Sequence, residues 1–234
     1  MGAIYDYCSF LYYRKGEKMK LYEINIESKE YPIELKRIYN PPLKLYVLGN
    51  KELLHQKAIA IVGSRNATEY GKKVALQFSN NLSTKGINII SGLAIGIDSY
   101  AHLGVLQSSN KGNTIAVLGS GLDKIYPKQN IELARNILKN GGCIITEYPL
   151  GTKPDKSHFP QRNRIISGLS KGTLIVEATT NSGAIITADF TLEQGKEVFV
   201  IPGNIYNINS IGTNNLIKQG AKLVTNYEEI LEEI

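Results

Sequence analysis

The chain of 234 residues contains 42% hydrophobic and 21% charged residues, an ordinary balance for a globular protein that does not suit a disordered or fibrous class. Its formal net charge of +6 favours an anionic partner such as nucleic acid; the alternative is a basic protein without such a partner. Cys8 and Cys143 stand far apart, and no uninterrupted apolar run of about 18 residues occurs. These features argue against a disulfide framework, a zinc site and a membrane span, and they indicate the cytoplasm.

At the N-terminus, residues 1–18 are rich in aromatic residues and lack a clear periodicity, whereas Met19 opens a more regular stretch. One hypothesis is that Met19 is the native start and that residues 1–18 are an upstream extension. We predict an N-terminal segment over residues 1–30 and one principal domain over residues 31–234, because no linker rich in proline or serine interrupts the latter.

From residue 58 onward, short apolar runs alternate with helical patterns. In chain order, the predicted elements are a strand at Ala58–Gly63, a helix at Thr68–Ser83, a strand at Ile87–Ile90, a helix at Asp98–Leu106, a strand at Thr114–Leu118, a helix at Gln129–Leu138, strands at Cys143–Thr146 and Leu174–Val176, a helix at Ser182–Gln194, a strand at Glu197–Ile201, a turn at Leu216–Lys218, a strand at Ala221–Val224 and a helix at Tyr227–Leu231. Apolar strands joined by helices are typical of a parallel sheet covered on both faces. We therefore predict an α/β fold with an extended Rossmann-like, doubly wound, mostly parallel sheet in a single domain.

Glycine-rich and polar loops follow several of these strands, where open parallel sheets bind their ligands. After the first strand, Gly63 lets a backbone approach, Ser64 offers a hydroxyl, and Arg65 offers a planar fork for phosphate. Further candidate DNA-binding residues in such loops are Gly92, Gly96, Gly119, Gly121, Lys128, Ser182, Gly183 and Thr187. Each loop alone can be a tight turn, but together they predict a long groove suited to an extended anion.

The run from Phe159 to Arg164 adds Phe159, Arg162, Asn163 and Arg164 to the candidate site. Two arginines directly before an apolar pair indicate cations at a helix start, where the helix dipole disfavours positive charge and a bound anion compensates. The alternative is a buried arginine paired with Glu147 or Glu177, and both arrangements can hold at once. Phe159 and Tyr126 are candidate stacking platforms, or else simple core aromatics.

Enzymatic signatures are weak. The sequence has neither a P-loop pattern nor a G-x-G-x-x-G fingerprint, which disfavours ATP and NAD as cofactors. Asp98 and His102 share a helix face and form a conceivable acid–base pair, but we favour a capping aspartate and a packed histidine. Glu147 and Glu177 are conceivable actors on a sugar bond, but we favour helix caps that bind loop amides. We predict no catalytic residue, no metal and no cofactor.

Several collinear segments carry a family resemblance, namely AIVGSR (60–65), SGLAIGIDSYAH (91–102), AVLGSGLDKIYPKQN (116–130), ITEYPLG (145–151), HFPQRNRIISGLS (158–170), VEATTNSGAIITADFTLEQGKEVFVIPG (176–203) and LIKQGAKLV (216–224). Together they resemble the DNA-processing protein A family, also called Smf, over about residues 31–227. The resemblance implies a Rossmann fold that binds single-stranded DNA without catalysis. It also implies a homodimer that protects incoming DNA and helps load RecA recombinase during natural transformation.

By position, Arg65 and Lys128 match the principal DNA-contacting cations of the family. The Arg162–Arg164 run and the loops at Gly92 and Ser182 match further contacts, and residues 212–232 match the region that pairs subunits. The accessory helical and winged-helix domains of many relatives are not evident, and Ile95 stands where some relatives have a basic residue. The alternative functions are a nucleotide-binding sensor or a phosphoribohydrolase-like enzyme on the same fold, although the glycine loop of such hydrolases is absent after Pro202.

Overall fold

The structure is a computed structural model that describes residues 20–109 and 112–234 and the backbone of two short strands before them. Those strands are β1 (Tyr13–Arg14) and β2 (Glu17–Lys18), which pair antiparallel. Apart from these two strands, residues 1–19, including Cys8, lie outside the described residues. The hypothesis of an upstream extension before Met19 therefore stays a hypothesis. Within the described part of the chain, no helix is both long and apolar enough to cross a bilayer.

One sheet organises the described residues. Its strands are β3 (Leu21–Asn25), β4 (Lys44–Gly49), β5 (Ala58–Val62), β6 (Asn88–Ser91), β7 (Thr114–Val117), β8 (Cys143–Thr146), β9 (Gly172–Ile175), β10 (Glu197–Val200) and β11 (Lys222–Leu223). Across the sheet they follow the order β11-β10-β9-β5-β6-β7-β8-β4-β3. Neighbours from β11 to β8 run parallel, while β4 and β3 are added antiparallel at one edge. This confirms the predicted mostly parallel α/β fold.

Helices cover both faces of the sheet. They are α1 (Ile33–Lys36), α2 (Glu69–Thr84), α3 (Ile97–Leu106), α4 (Ile131–Lys139), α5 (His158–Leu169), α6 (Gly183–Glu193), α7 (Ile211–Lys218) and α8 (Glu228–Leu231). The central strand β5 shows why they are needed, because all of its residues are buried. Its alanines and Val62 pack with α5 and α6, whereas Ile59 and Ile61 pack with α2 and α3.

Two features depart from the sequence expectations. Leu216–Lys218 was expected as a turn but is the last turn of α7. The expectation was wrong because the glycine and asparagines before Leu216 favour turns, whereas burial of Leu216 in the core holds the segment helical. Strand β3 lies in the predicted N-terminal segment 1–30, so part of that segment belongs to the sheet. Ile24 is the single buried residue of β3, so the strand carries little periodic signal in the sequence.

Candidate nucleic-acid interface

A cavity of about 730 Å3 opens at the carboxyl ends of the central strands. Of the residues expected in the site, those that line it are Gly63, Ser64, Arg65, Phe159, Arg162, Asn163, Ser182, Gly183 and Thr187. Gly92 lines a smaller cavity of about 60 Å3, which shares Arg65, Phe159 and Arg162 with the larger one. Five expected residues line neither cavity: Gly96, Gly119, Gly121, Lys128 and Arg164.

The loop after β5 presents Arg65 to this cavity from a fixed backbone. The Ser64 amide donates to the Glu177 carbonyl at 2.7 Å, and the Asn209 side-chain amide donates to the Asn66 carbonyl at 2.7 Å. The Arg65 side chain is exposed, and its guanidinium carbon lies 5.5 Å from the centre of the Phe159 ring. It forms no ion pair with any described residue, so its charge is available to a ligand.

Gly96 shapes the Arg65 loop from the neighbouring strand tip. Its φ of +80° is one that residues with a side chain rarely adopt. A Cβ at this position would lie 2.3 Å from the Ser64 carbonyl oxygen and 2.6 Å from that of Arg65. The absence of a side chain at Gly96 therefore lets its loop pack against the Arg65 loop. This contact places Gly96 behind the cavity wall.

We expect Gly96→Ala to lower the free energy of unfolding by about 2–3 kcal/mol, because it combines a strained backbone with a clash against the Arg65 loop. Urea denaturation followed by circular dichroism measures this change. The matched control is Gly183→Ala, where a Cβ would meet no atom within 4 Å. Equal urea midpoints for the two variants would contradict the expectation.

Arg162 forms part of the cavity floor and is buried, with only 4% of its surface exposed. Its guanidinium donates to the Gly92 carbonyl at 2.6 Å and to the Val117 carbonyl, so it joins the tips of β6 and β7. Burial lowers the pKa of Arg162 to about 10, which leaves it charged at neutral pH. The expectation of cations at a helix start was wrong, because α5 begins at His158 and carries the arginines in its interior.

Arg164 instead makes the ion pair that was considered as the alternative for this run. Its guanidinium donates to both carboxylate oxygens of Glu147, at 2.8 Å and 2.7 Å, and to the Asn40 carbonyl at 2.9 Å. The fork geometry satisfies the guanidinium within the protein. Arg164 therefore links α5 to Glu147 at the end of β8 and to the loop that holds Asn40.

The conceivable catalytic carboxylates and histidine have structural partners. Asp98 accepts from the amides of Gly92 and Ala94 at 3.1 Å and 3.4 Å; burial raises its pKa, and Arg162 opposes the rise. His102 Nδ1 lies 2.6 Å from the Thr114 hydroxyl, and burial lowers the pKa of His102 to about 3. The imidazole is therefore neutral and packed, as favoured from the sequence. The expectation of a capping aspartate was wrong, because Gly96 is the capping residue of α3 and Asp98 lies within the first turn, where it binds loop amides.

Glu177 also takes the favoured structural role. It is buried and accepts from the Thr68 amide at 2.9 Å and from the Thr68 hydroxyl at 2.5 Å. The same hydroxyl caps α2 by accepting from the Gly71 amide at 3.2 Å. Glu177 thus holds the start of α2 against the end of β9 and does not face the cavity.

Two aromatic rings line the cavity beside Arg65. The rings of Tyr126 and Phe159 lie 5.5 Å apart, and both line the cavity. Tyr126 is 47% exposed, so it is not a core aromatic. Gly119 permits this arrangement, since a Cβ there would approach the Phe159 ring to 3.0 Å. Lys128 follows Tyr126 in an exposed turn and forms no ion pair with a described residue.

Lys156 is a cation of the cavity that the sequence did not single out. It is exposed, lines the cavity and precedes Phe159 by three residues. A lone lysine in a polar loop carries no distinctive signal, because most such lysines are solvated surface residues. Among the described residues that line the cavity, the cations are Arg65, Lys156 and Arg162, and the single carboxylate is Asp98. The cavity therefore attracts anions.

A doubly wound α/β sheet with a cationic, aromatic-rimmed cleft at its strand tips defines a Rossmann-like protein suited to a polyanionic ligand. The family model described as DNA recombination-mediator protein A matches residues 23–234. The chain belongs to this family, which confirms the resemblance to DNA-processing protein A and Smf.

Similar proteins come from several bacteria. Protein Smf of Escherichia coli is 48% identical over 211 residues, which cover 90% of this chain and 56% of that protein. The X-ray structure of DNA processing protein A from Streptococcus pneumoniae matches with a TM-score of 0.86 and 42% identity, covering 92% of this chain and 75% of that one. DNA processing protein A from Helicobacter pylori, whose structure bears on its single-stranded DNA binding mode, matches with a TM-score of 0.81 and 30% identity, covering 91% and 94%.

Proposed function

We propose that this protein binds single-stranded DNA in the strand-tip cleft. The observation that carries the proposal is the Arg65 guanidinium over the Phe159 ring, beside the exposed ring of Tyr126. Cations that follow a phosphate backbone, interleaved with rings on which bases stack, are the means by which proteins hold single strands with weak sequence preference. Phosphates contact Arg65 and Lys156, and bases stack on Tyr126 and Phe159.

The start of α6 supplies a further phosphate contact in this proposal. Ser182 accepts from the Ala184 amide at 3.2 Å and so caps the helix at the cavity wall. No atom lies within 4 Å of where a Gly183 Cβ would be, so a phosphate has space to approach the start of the helix and the positive end of its dipole. Buried Arg162 adds its charge from beneath, without direct contact being required.

A single strand suits this cleft better than a duplex. Stacking on Tyr126 and Phe159 requires the flat face of an unpaired base, and a duplex keeps those faces stacked on one another. Lys128 extends the cationic surface beyond Tyr126. Gly63, Gly92, Gly96, Gly119 and Gly121 act by letting loops and backbone approach closely.

The wider role that we propose is that of a non-catalytic recombination mediator in the cytoplasm. The protein protects incoming single strands and helps load RecA during natural transformation, and it pairs as a homodimer through residues 212–232. Membership of the recombination-mediator family supports this role. The structural partners of Asp98, His102 and Glu177 support a protein without catalysis.

We expect Lys156→Ala and Lys128→Ala each to weaken binding of single-stranded oligonucleotides about threefold to tenfold, whatever the sequence. Each variant should also reduce the slope of log affinity against log salt by roughly 0.7 to 1, because one phosphate contact is lost. Fluorescence anisotropy with a labelled oligonucleotide over a series of salt concentrations measures both. The control is Lys85→Ala, which changes an exposed lysine at the end of α2, just before β6 begins and thus at the amino ends of the strands, away from the cleft.

Three results would count against the proposed function. The first is unchanged binding by a double variant that lacks Arg65 and Lys128. The second is tight binding of a mononucleotide without affinity for oligonucleotides, which would favour the nucleotide sensor, since a volume of about 730 Å3 also suits a small ligand. The third is release of free base from nucleoside monophosphates, which would favour the hydrolase.

A further inference from the structure

The loop between β10 and α7 exposes three large apolar side chains within four residues. Ile205 is 76% exposed, Tyr206 is 91% exposed and Ile208 is 67% exposed. Single exposed apolar residues are common on protein surfaces, but contiguous ones mark sites of interaction. We call Ile205, Tyr206 and Ile208 the apolar loop.

The backbone of this loop is held in place. The Tyr70 hydroxyl donates to the Pro202 carbonyl at 3.0 Å, and Gly203 exchanges two hydrogen bonds with the Asn214 side chain, at 3.2 Å and 3.0 Å. At the tip, the Asn204 side chain accepts from the Tyr206 amide at 2.9 Å. These contacts preorganise the loop, so its apolar side chains are presented to a ligand at a small cost in entropy.

The apolar loop is continuous with the proposed DNA cleft. Ile208 and Asn209 line the same cavity as Arg65, and Asn209 binds the Asn66 carbonyl in the Arg65 loop. The strand order places β10 four positions from β7, which is about 19 Å at the usual strand spacing. Tyr126 follows β7, so the cleft has an aromatic surface at one end, Arg65 near its middle and the apolar loop at the other end.

The stretch of sequence around the apolar loop suits a polyanion. The sequence contains no aspartate or glutamate between Glu197 and Glu228, and Lys218 and Lys222 are the charged residues in that stretch. An exposed tyrosine and isoleucines without carboxylates nearby in the sequence, at the end of a cationic cleft, fit the faces of unpaired bases.

We propose that Ile205, Tyr206 and Ile208 form a second base-stacking platform, which holds the same strand after it has passed Arg65. This inference rests on the proposed function, because it requires single-stranded DNA in the cleft. The strand runs along the sheet edge from Tyr126 to Tyr206, with its phosphates towards Arg65 and its bases stacked at both ends. A second copy of the chain is the competing occupant, and the experiments below distinguish the two.

The chain has no tryptophan, so Tyr206→Trp creates a single fluorescent probe on the platform. We expect oligothymidylate to quench this fluorescence with the same midpoint as binding measured by anisotropy. Leu192→Trp is the control, because Leu192 is exposed near the end of α6 and does not line the cavity. If the Tyr206→Trp variant binds the oligonucleotide and its tryptophan fluorescence stays unchanged, the platform is wrong.

The second experiment uses Tyr206→Ala with Ile208→Ser. We expect this variant to bind oligothymidylate about fivefold to tenfold more weakly, with an unchanged salt slope because no charge is removed. An abasic oligonucleotide of equal length should bind variant and wild type equally. The matched control, Tyr39→Ala with Leu192→Ser, removes similarly exposed side chains that do not line the cavity and should bind like the wild type.

The outcomes separate this inference from the proposed function. If Arg65→Ala weakens binding while the Tyr206 and Ile208 variant binds both oligonucleotides like the wild type, the cleft stands and the platform is wrong. If that variant sediments as a different oligomer and its DNA affinity is unchanged, the apolar loop is a contact between copies. If Arg65→Ala has no effect, the proposed function itself fails.

Discussion

Replacing Arg65 with alanine is expected to weaken binding of single-stranded oligonucleotides by about 10- to 100-fold. A hydrogen bond from a charged donor to a phosphate contributes about 1.5–3 kcal/mol, and the variant also loses the guanidinium over Phe159. Anisotropy titrations at one fixed salt concentration measure the change. Because the Arg65 side chain is exposed, the free energy of unfolding should change by no more than about 0.5 kcal/mol.

Two further variants sharpen this prediction. Arg65→Lys keeps the charge but lacks the planar fork, so its affinity should fall between those of wild type and Arg65→Ala. Arg37→Ala removes an arginine whose side chain is 70% exposed and which follows α1, and it should bind like the wild type. Equal affinities of Arg37→Ala and Arg65→Ala would show that general charge, and not the cleft, holds the DNA.

Replacing Arg162 with methionine is expected to lower the free energy of unfolding by about 3–5 kcal/mol. The variant leaves Asp98 buried without its neighbouring cation, and the carbonyls of Gly92 and Val117 without their donor; an uncompensated buried charge together with unpartnered buried acceptors typically costs this much. For a chain of this size the melting temperature should fall by roughly 10 °C. Urea denaturation and calorimetry measure both quantities, with Arg37→Met as the exposed control.

The pH dependence of the stability of Arg162→Met tests whether the buried charge of Asp98 causes the loss. Burial raises the pKa of Asp98, and Arg162 opposes that rise. Without Arg162, Asp98 in the folded state therefore keeps its proton at pH values at which Asp98 in the unfolded state has released it. Stability of Arg162→Met should therefore fall as pH rises from about 4, the ordinary pKa of aspartate, and the loss should be smaller at pH 5 than at pH 8. Asp98→Asn in the same background should recover stability and remove the pH dependence. A loss that is independent of pH would contradict this account.

The position of Arg162 also explains how the cleft keeps its shape. Its guanidinium joins the tips of β6 and β7 below the cavity, and the lack of a Gly92 side chain makes room for it, since a Cβ would lie 2.5 Å from the guanidinium. One buried cation thereby sets the spacing of two loops and adds positive potential under the bound strand. Loss of Arg162 is expected to affect stability and DNA affinity together, whereas loss of Arg65 affects affinity alone.

Predictions from the sequence succeeded where burial was complete and failed where it was partial. Cys143–Thr146 was predicted with its observed bounds because all of its residues are buried, which leaves an uninterrupted apolar run. Strands β3 and β4 lie at the antiparallel edge of the sheet and carry exposed residues, so their pattern was weak. The arginines of α5 were assigned to a helix start because the segment before them contains Pro160, and the residue before a proline is biased away from the helical region.

The sequence by itself determined the alternation of strands and helices, the family, and Arg65 as a cation in a strand-tip loop, because each of these depends on residues that are neighbours along the chain. Only the tertiary structure decided which charges face the cleft. It buried Arg162, paired Arg164 with Glu147, brought Lys156 to the cavity and joined Asn209 to a loop some 145 residues earlier in the chain. The physical reason is the strand order, which sets β5 between β6 and β9 and so brings together loops that no local pattern relates.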